Sequence, residues 1–144
     1  MTDIPEIAIL LEKVIHEYNQ VEMQKHHYGT DILISRTEIH TIVDIGNTPG
    51  IGITALANER GITKGAASQM IYKLCAKGLV DKQPSKNSDV EVSLYLTEKG
   101  KNAYKGHMNF HKTRGKQFFN LLYELILQFF KRGTDQQGVA ASIC

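Results

Sequence analysis

The chain has 144 residues and a formal net charge of +2, which fit one folded domain with a sizeable core. Two cysteines are too few for a disulfide framework, and the most apolar stretch, LLYELILQFF at residues 121–130, is far shorter than the roughly 20 residues that span a bilayer. The N-terminus lacks the basic region and apolar run of a secretory signal peptide. We therefore expect a cytoplasmic protein with no membrane partner.

The small net charge hides an uneven distribution. Residues 1–46 carry three basic and eight acidic side chains, which gives a net charge of −5. Residues 53–87 carry six basic and two acidic side chains, which gives +4. A basic segment that follows an acidic one predicts where phosphates would be contacted.

The first predicted helix begins at a D-x-x-E capping box formed by Asp3 and Glu6. Gly29 is expected to end it after about six turns. Its apolar residues recur at three- and four-residue spacing: Ile7, Leu11, Val14, Tyr18 and Val21. This stripe is longer than a small domain can cover alone, so it predicts a dimer interface.

A second capping box, formed by Ser35 and Glu38, predicts a helix over residues 35–45. Its predicted core face consists of Ile39, Ile42 and Val43. The sequence NTPG at residues 47–50 then reads as a turn.

Residues 54–80, TALANERGITKGAASQMIYKLCAKGLV, predict a helix-turn-helix. Gly61 can end the first helix in a left-handed conformation, and the Thr63 hydroxyl can cap the second, which runs from Lys64 to about Lys77. The second helix places these apolar residues toward the core: Ala67, Met70, Ile71 and Leu74.

The opposite side of this second helix is small, polar and basic, and it carries no acid. Such a face suits a major groove, where Gln69 and Ser68 can read base edges and lysines can hold phosphates. A solvated surface is the ordinary meaning of a lone polar face, but a capped helix pair with this turn favours DNA. The predicted DNA-binding residues are Lys64, Gly65, Ser68, Gln69, Tyr72, Lys73 and Lys86.

The period then changes to two. Residues 80–83 and 90–96 predict two strands, with Val90, Val92, Leu94 and Leu96 on one face of the second. The polar tip PSKNSD at residues 84–89 makes this hairpin a wing carrying Lys86. A last helix is expected from residue 97 to about residue 130, followed by a frayed tail after Arg132.

This order of elements resembles the MarR family of dimeric bacterial transcriptional regulators over residues 4–132. The most specific segments are ITALANERGITKGAASQMIYKLCAKGLV and LYLTEKG, at residues 53–80 and 94–100. The resemblance implies a mainly α fold with a small β-hairpin wing, and a homodimer that binds a pseudo-palindromic operator in double-stranded DNA. It divides the chain into an N-terminal dimerisation helix (1–34), a winged helix-turn-helix (35–96) and C-terminal dimerisation helices with a tail (97–144).

The sequence departs from the family pattern in two places. The wing tip has Lys86 but lacks the arginine that many members carry, and FFNLLYELILQFFKRG at residues 118–133 runs on without the break that precedes a separate sixth helix.

His107 and His111 lie one turn apart on the last helix, as two helical metal ligands must. Two exposed histidines are the commoner meaning of this spacing. The chain is also similar to the zinc-responsive branch of the family, which implies one zinc ion per subunit. The implied ligands are Glu22, His40, His107 and His111, whereas Tyr28, Ile39 and Gly106 stand at ligand positions of the branch's second site.

The resulting hypothesis is a DNA-binding repressor whose operator affinity rises with zinc. A small organic effector near Tyr18, Tyr28 and His40 is the alternative within the same class. A winged-helix module that binds another protein is the alternative from a different class. An enzyme is disfavoured, because the sequence contains no G-x-S-x-G, no phosphate-binding glycine loop and no H-E-x-x-H.

Overall fold

The computed structural model describes the backbone of residues 4–141 and the side chains of residues 5–133. Five helices and three strands follow in chain order: α1 (Ile4–Met23), α2 (Arg36–Asn47), β1 (Ile51–Gly52), α3 (Ile53–Arg60), α4 (Lys64–Ala76), β2 (Val80–Pro84), β3 (Val92–Leu96) and α5 (Glu98–Ala141). The predicted fold class, mainly α with a small β wing, is confirmed.

The chain forms two compact units. We call Met23–Phe110 the winged unit, and the described residues before and after it the terminal unit. None of the described helices is both long enough and apolar enough to cross a membrane.

The terminal unit contains an open apolar groove of about 510 Å³. The stripe predicted on α1 contributes Ile7, Leu11 and Val14 to its lining, and Leu125 and Phe129 of α5 contribute from the other side. Glu6 and Arg132 also line it, with an N–O distance of 3.9 Å. The apolar side chains of this unit therefore remain partly open to solvent in a single chain.

The prediction that Gly29 ends α1 was wrong, because the helix stops at Met23. The backbone of His26 exchanges two hydrogen bonds with that of Ile34, at 3.1 and 2.9 Å. This isolated β-bridge requires extended backbone in the segment that the prediction made helical. Gly29 instead lies inside the loop, next to Tyr28, and both have positive φ values.

The start of α2 was predicted correctly. The Ser35 side chain accepts a hydrogen bond from the Glu38 N–H, and the Glu38 carboxylate accepts one from the Ser35 N–H. The helix ends two residues later than expected, at Asn47. Of the predicted core face, Val43 is only half-buried, and Ile45 is fully buried in addition to Ile39 and Ile42.

The sheet has one strand more than the sequence predicted. Its antiparallel order is β1-β3-β2, with Ile51 opposite Leu94 and Val80 opposite Leu96. β1 is only two residues long, too short for an alternating pattern to reveal it.

The placement of Val90 on the apolar strand face was also wrong. β3 begins two residues later, at Val92, and Val90 is 93% exposed. The Val90 N–H donates to the Ser88 hydroxyl at 3.2 Å, so the residue belongs to the wing tip.

α5 begins where predicted, with the Thr97 hydroxyl accepting a hydrogen bond from the Gly100 N–H at 3.0 Å. The helix then continues past Arg132 to Ala141, whereas the sequence predicted a frayed tail there. Apolar periodicity indicates which side of a helix is buried, so its absence after Arg132 did not exclude a helix there. Residues 142–144 lie outside the described chain.

Gly106 of α5 lies against the loop that follows α1. A Cβ atom at this position would overlap the Tyr28 carbonyl, so only glycine allows this approach. Packing of the loop on α5 therefore depends on the absence of a side chain at Gly106.

We expect Gly106→Ala to lower the free energy of unfolding by about 1–3 kcal/mol, because the helix and the loop must separate to admit a methyl group. Gly65→Ala is the matched control, since Gly65 is also helical and a Cβ atom there would meet nothing within 4 Å. The measurement is thermal unfolding of both variants at one protein concentration. Equal stability of the two variants would contradict the close packing.

Candidate nucleic-acid interface

The orientation of α4 is fixed by its apolar side. Ala67, Ile71 and Leu74 are fully buried in the core of the winged unit, and Met70 is packed against that core. This is the predicted core face. Each residue of a helix is rotated by about 100° around the axis from the one before it. Burial of this side therefore determines which residues face solvent.

The turn before α4 has the predicted local chemistry. Gly61 ends α3 with φ of 63°, and its N–H donates to the Ala57 and Asn58 carbonyls. The Thr63 hydroxyl accepts a hydrogen bond from the Ala66 N–H at 3.1 Å. Both ends of the turn are therefore fixed by hydrogen bonds.

We call the solvent side of α4 the recognition face. It consists of Lys64, Gly65, Ser68, Gln69, Tyr72 and Lys73. Ser68 is half-buried, the others are exposed, and Tyr72 is 72% exposed. Small residues permit close approach to a duplex, Gln69 can pair with a base edge, and the lysines can contact phosphates.

The wing extends this surface. Lys86 is exposed at the tip, as is Lys82 on β2. The exposed Val90 is a further wing-tip residue that sequence reasoning missed, because alternation placed it in the core. An apolar side chain at a wing tip can contact the sugar edges of a minor groove.

We call α3, the turn after it and α4 the reader. Two ion pairs join α2 to the two helices of the reader. Arg60, at the end of α3, lies 2.7 Å from the Asp44 carboxylate. Lys77, the C-cap of α4, lies 2.8 Å from the Glu38 carboxylate. Burial alone would raise the pKa of Glu38, but hydrogen bonds from Lys77 and from the Ser35 backbone outweigh it and lower the pKa from its ordinary value.

Cys75 lies at the half-buried edge of the apolar side of α4. Burial raises the pKa of its thiol, so little thiolate forms at neutral pH. The residue therefore acts as part of the packing.

Two of the four predicted metal ligands are neighbours in the winged unit. The ring centroids of His40 and His107 are 5.6 Å apart, and His107 is only 4% exposed. Glu22, near the end of α1, is a buried carboxylate at 7% exposure. His111 follows His107 by one turn of α5.

No group of three or more His, Cys, Asp or Glu side chains is placed to hold a metal ion within the described residues. Ile39 is fully buried, and a side chain at Gly106 would overlap the Tyr28 carbonyl.

Sequence reasoning also missed a cluster of aromatic rings beside His107. The rings of His26 and Phe110 are 4.9 Å apart, and Tyr28 lies 5.4 Å from His107 and 5.6 Å from His26. These residues come from the loop after α1 and from α5, so no local spacing could have grouped them.

Residues 34–89, which contain α2, the reader and most of the wing, match the family model described as the MarR family. This part of the chain is therefore similar to the MarR family. The sequence of the chain is similar to the uncharacterized HTH-type transcriptional regulator YhjH of Bacillus subtilis, with 26% identity over 110 residues. That match covers 76% of this chain and 58% of YhjH, so the chain spans little more than half the length of this relative.

Solved structures of other proteins share the fold. Streptococcus pneumoniae FabT in complex with DNA superposes with a TM-score of 0.67 at 22% identity, covering 92% of this chain and 99% of FabT. Lactococcus lactis ZitR, described as a zinc-responsive MarR family member, gives a TM-score of 0.61 at 17% identity, covering 92% and 96%. The MarR-family relatives are transcription regulators and not enzymes.

Loss of the helix cap should loosen the MarR-type reader. We expect Thr63→Ala to lower the free energy of unfolding by about 1 kcal/mol, because the Ala66 N–H loses its acceptor. Thr63→Ser keeps the hydroxyl and should retain most of the stability. Thermal unfolding of the two variants at one protein concentration tests this, and an equal loss in both would show that the methyl group matters more than the cap.

Proposed function

We propose that the protein is a dimeric, sequence-specific DNA-binding regulator of transcription that acts as a repressor. The observation that carries the proposal is the recognition face, which is exposed apart from the half-buried Ser68, while Ala67 and Ile71 on the other side of the same helix are fully buried. No acidic residue lies on α4, so nothing on this helix would repel a phosphate backbone. The fold similarity to FabT, whose structure was solved in complex with DNA, supports the same role.

The predicted contacts divide by chemistry. Gln69 and Ser68 would read base edges, and Gly65 and Tyr72 would lie beside them at the groove floor and wall. The lysines at positions 64, 73 and 86 would hold phosphates and set the register of the protein on the duplex. Within the described residues, no ion pair engages any of these three lysines, so their charges are available to DNA.

A homodimer would place two copies of α4 on one duplex. We propose that segments 1–34 and 97–144 supply its interface. The open apolar groove of the terminal unit supports this assignment, since exposed apolar surface of this kind is typical of association sites. Two recognition helices about 10 bp apart would read a pseudo-palindromic operator in successive major grooves.

We further propose that zinc controls operator affinity through Glu22, His40, His107 and His111. Three neutral imidazoles and a carboxylate are a donor set that suits tetrahedral zinc. The 5.6 Å ring separation of His40 and His107, the burial of Glu22 and the similarity to ZitR support the proposal. A closed four-ligand shell would leave no open position for hydrolytic chemistry, so the ion would act as an effector.

Protons and the metal ion would compete for the same imidazole nitrogens. Imidazole must be neutral to act as a ligand, so proton binding at His40 or His107 would compete with the ion. An effector that binds one conformation more tightly stabilises it, and operator affinity changes only if that conformation also binds DNA better. We expect the metal-bound conformation to be the one that binds the operator.

Replacing Gln69 and Lys73 separately should give different losses of DNA binding. Gln69→Ala should cost about 1–3 kcal/mol at one base position and relax the preference there, because a base contact is lost. Lys73→Ala should weaken all sequences alike and reduce the salt slope by about 1, because one phosphate contact is lost. The measurement is the affinity for a selected operator and for base-substituted duplexes at several salt concentrations.

Lys101→Ala, on the exposed side of α5, is the control for general loss of charge and should leave both quantities unchanged. If wild-type binding lacked a steep salt slope, the protein would belong to the class of winged-helix modules that bind other proteins.

Zinc should bind once per subunit and raise operator affinity. The measurements are metal analysis of protein purified without added zinc, and operator affinity with zinc and with a chelator. A His107→Ala and His111→Ala double variant should lose both the ion and the response. His16→Ala removes an exposed histidine outside the ligand set and should change neither. Equal operator affinity with zinc and with chelator would eliminate metal control while leaving DNA binding intact.

A further inference from the structure

Lys77 differs from Lys64 and Lys73 because its ammonium group already donates hydrogen bonds within the protein. Its Nζ atom donates to both carboxylate oxygens of Glu38 at 2.8 Å and to the Leu33 carbonyl at 3.2 Å. The Lys77 side chain is 30% exposed and that of Glu38 is 9% exposed. A cation with three acceptors around it has little capacity left for a phosphate.

Glu38 performs two structural tasks at once. One of its oxygens also accepts the Ser35 N–H at 2.9 Å, which completes the capping box at the start of α2. The same carboxylate therefore fixes the first turn of α2 and the last residue of α4. Because the Glu38 carboxylate is buried, leaving it unpaired would cost free energy, so Lys77 is held close to it.

The two ends of α4 are thus held by different contacts. The Thr63 cap and the Gly61 turn fix its start, and the Lys77–Glu38 pair fixes its end. A helix of 13 residues is about 20 Å long. A small tilt of α4 at the end held by Lys77 would therefore move Ser68 and Gln69 relative to a base edge.

We propose that Lys77 and Glu38 are positioning residues for sequence-specific DNA binding, and that Lys77 sets the angle of the recognition helix without contacting phosphate. The proposal rests on the proposed function. Hydrogen bonds to base edges tolerate shifts of only a few tenths of an ångström, whereas attraction to phosphates extends over a Debye length of about 8–10 Å. Displacing α4 should therefore reduce operator binding and leave non-specific binding nearly unchanged.

The test uses Lys77→Met and Glu38→Gln in the full chain. The first removes the cation with little change in volume, and the second removes the anion while a glutamine can still accept the Ser35 N–H of a capping box. We expect each variant to lose operator affinity by about tenfold or more, the equivalent of one mismatched base pair. Affinity for an unrelated duplex and the salt slope should stay at wild-type values.

The two variants change the net charge in opposite directions. If only charge mattered, Lys77→Met would weaken DNA binding and Glu38→Gln would strengthen it, and this pattern would overturn the proposal. A loss of salt slope in Lys77→Met like that of Lys73→Ala would also overturn it, because Lys77 would then be a phosphate contact.

Lys101→Met is the matched control, since it breaks the exposed Lys101–Glu98 pair at 3.2 Å and should leave all DNA affinities unchanged. Lys77→Arg keeps the cation and should recover operator affinity. If Lys77→Met does not fold, Glu38→Gln and Lys77→Arg decide the question, and wild-type operator affinity in Glu38→Gln would refute the positioning role. Absence of operator preference in the wild-type protein would instead refute the proposed function.

Discussion

Burial of one side of α4 is the constraint on which the rest of the winged unit depends. Ala67, Ile71 and Leu74 are fully buried, and these three positions determine the rotation of the helix about its axis. If they turned by one residue, the recognition face would rotate into the core. The buried isoleucines of α2 and Leu94 of β3 belong to the same cluster, so the core that stabilises the fold also presents the reader.

Hydrophobic packing sets this rotation more firmly than it sets the tilt of the helix. An apolar cluster is non-directional, so it tolerates small changes of angle with little loss of contact. Hydrogen-bonded ion pairs have directions and lengths, and the winged unit uses them at the ends of α3 and α4. α2 carries both acceptors, Asp44 and Glu38, so this helix is the common support of the two reader helices.

Local patterns predicted the local features of the structure well. The capping box at Ser35, the cap at Thr63 and the left-handed Gly61 each depend on a few neighbouring residues, and each was predicted correctly. The errors occurred where a distant partner decides the conformation. α1 ends at Met23 because His26 pairs with Ile34, and β1 exists because Ile51 pairs with Leu94.

The candidate site shows the same division. Helical periodicity predicted which residues of α4 are exposed, since burial and exposure follow from one angle per residue. It could not predict that Lys77 bonds to Glu38, 39 positions earlier in the chain. Nor could it predict that His26 and Tyr28 join His107 in one cluster of rings, because the loop that carries them has no repeating pattern.

The ion pairs also change the meaning of the charge in the reader. Residues 53–87 have a net charge of +4, but Arg60 and Lys77 are bonded to carboxylates of α2. The basic side chains left to face a phosphate backbone are Lys64, Lys73, Lys82 and Lys86, on one side of α4 and on the wing. Counting charge along a sequence locates a nucleic-acid surface, but it overstates the number of phosphates that the surface can neutralise. Because each released counterion contributes to the salt dependence of binding, that dependence should follow the exposed lysines and not the total charge.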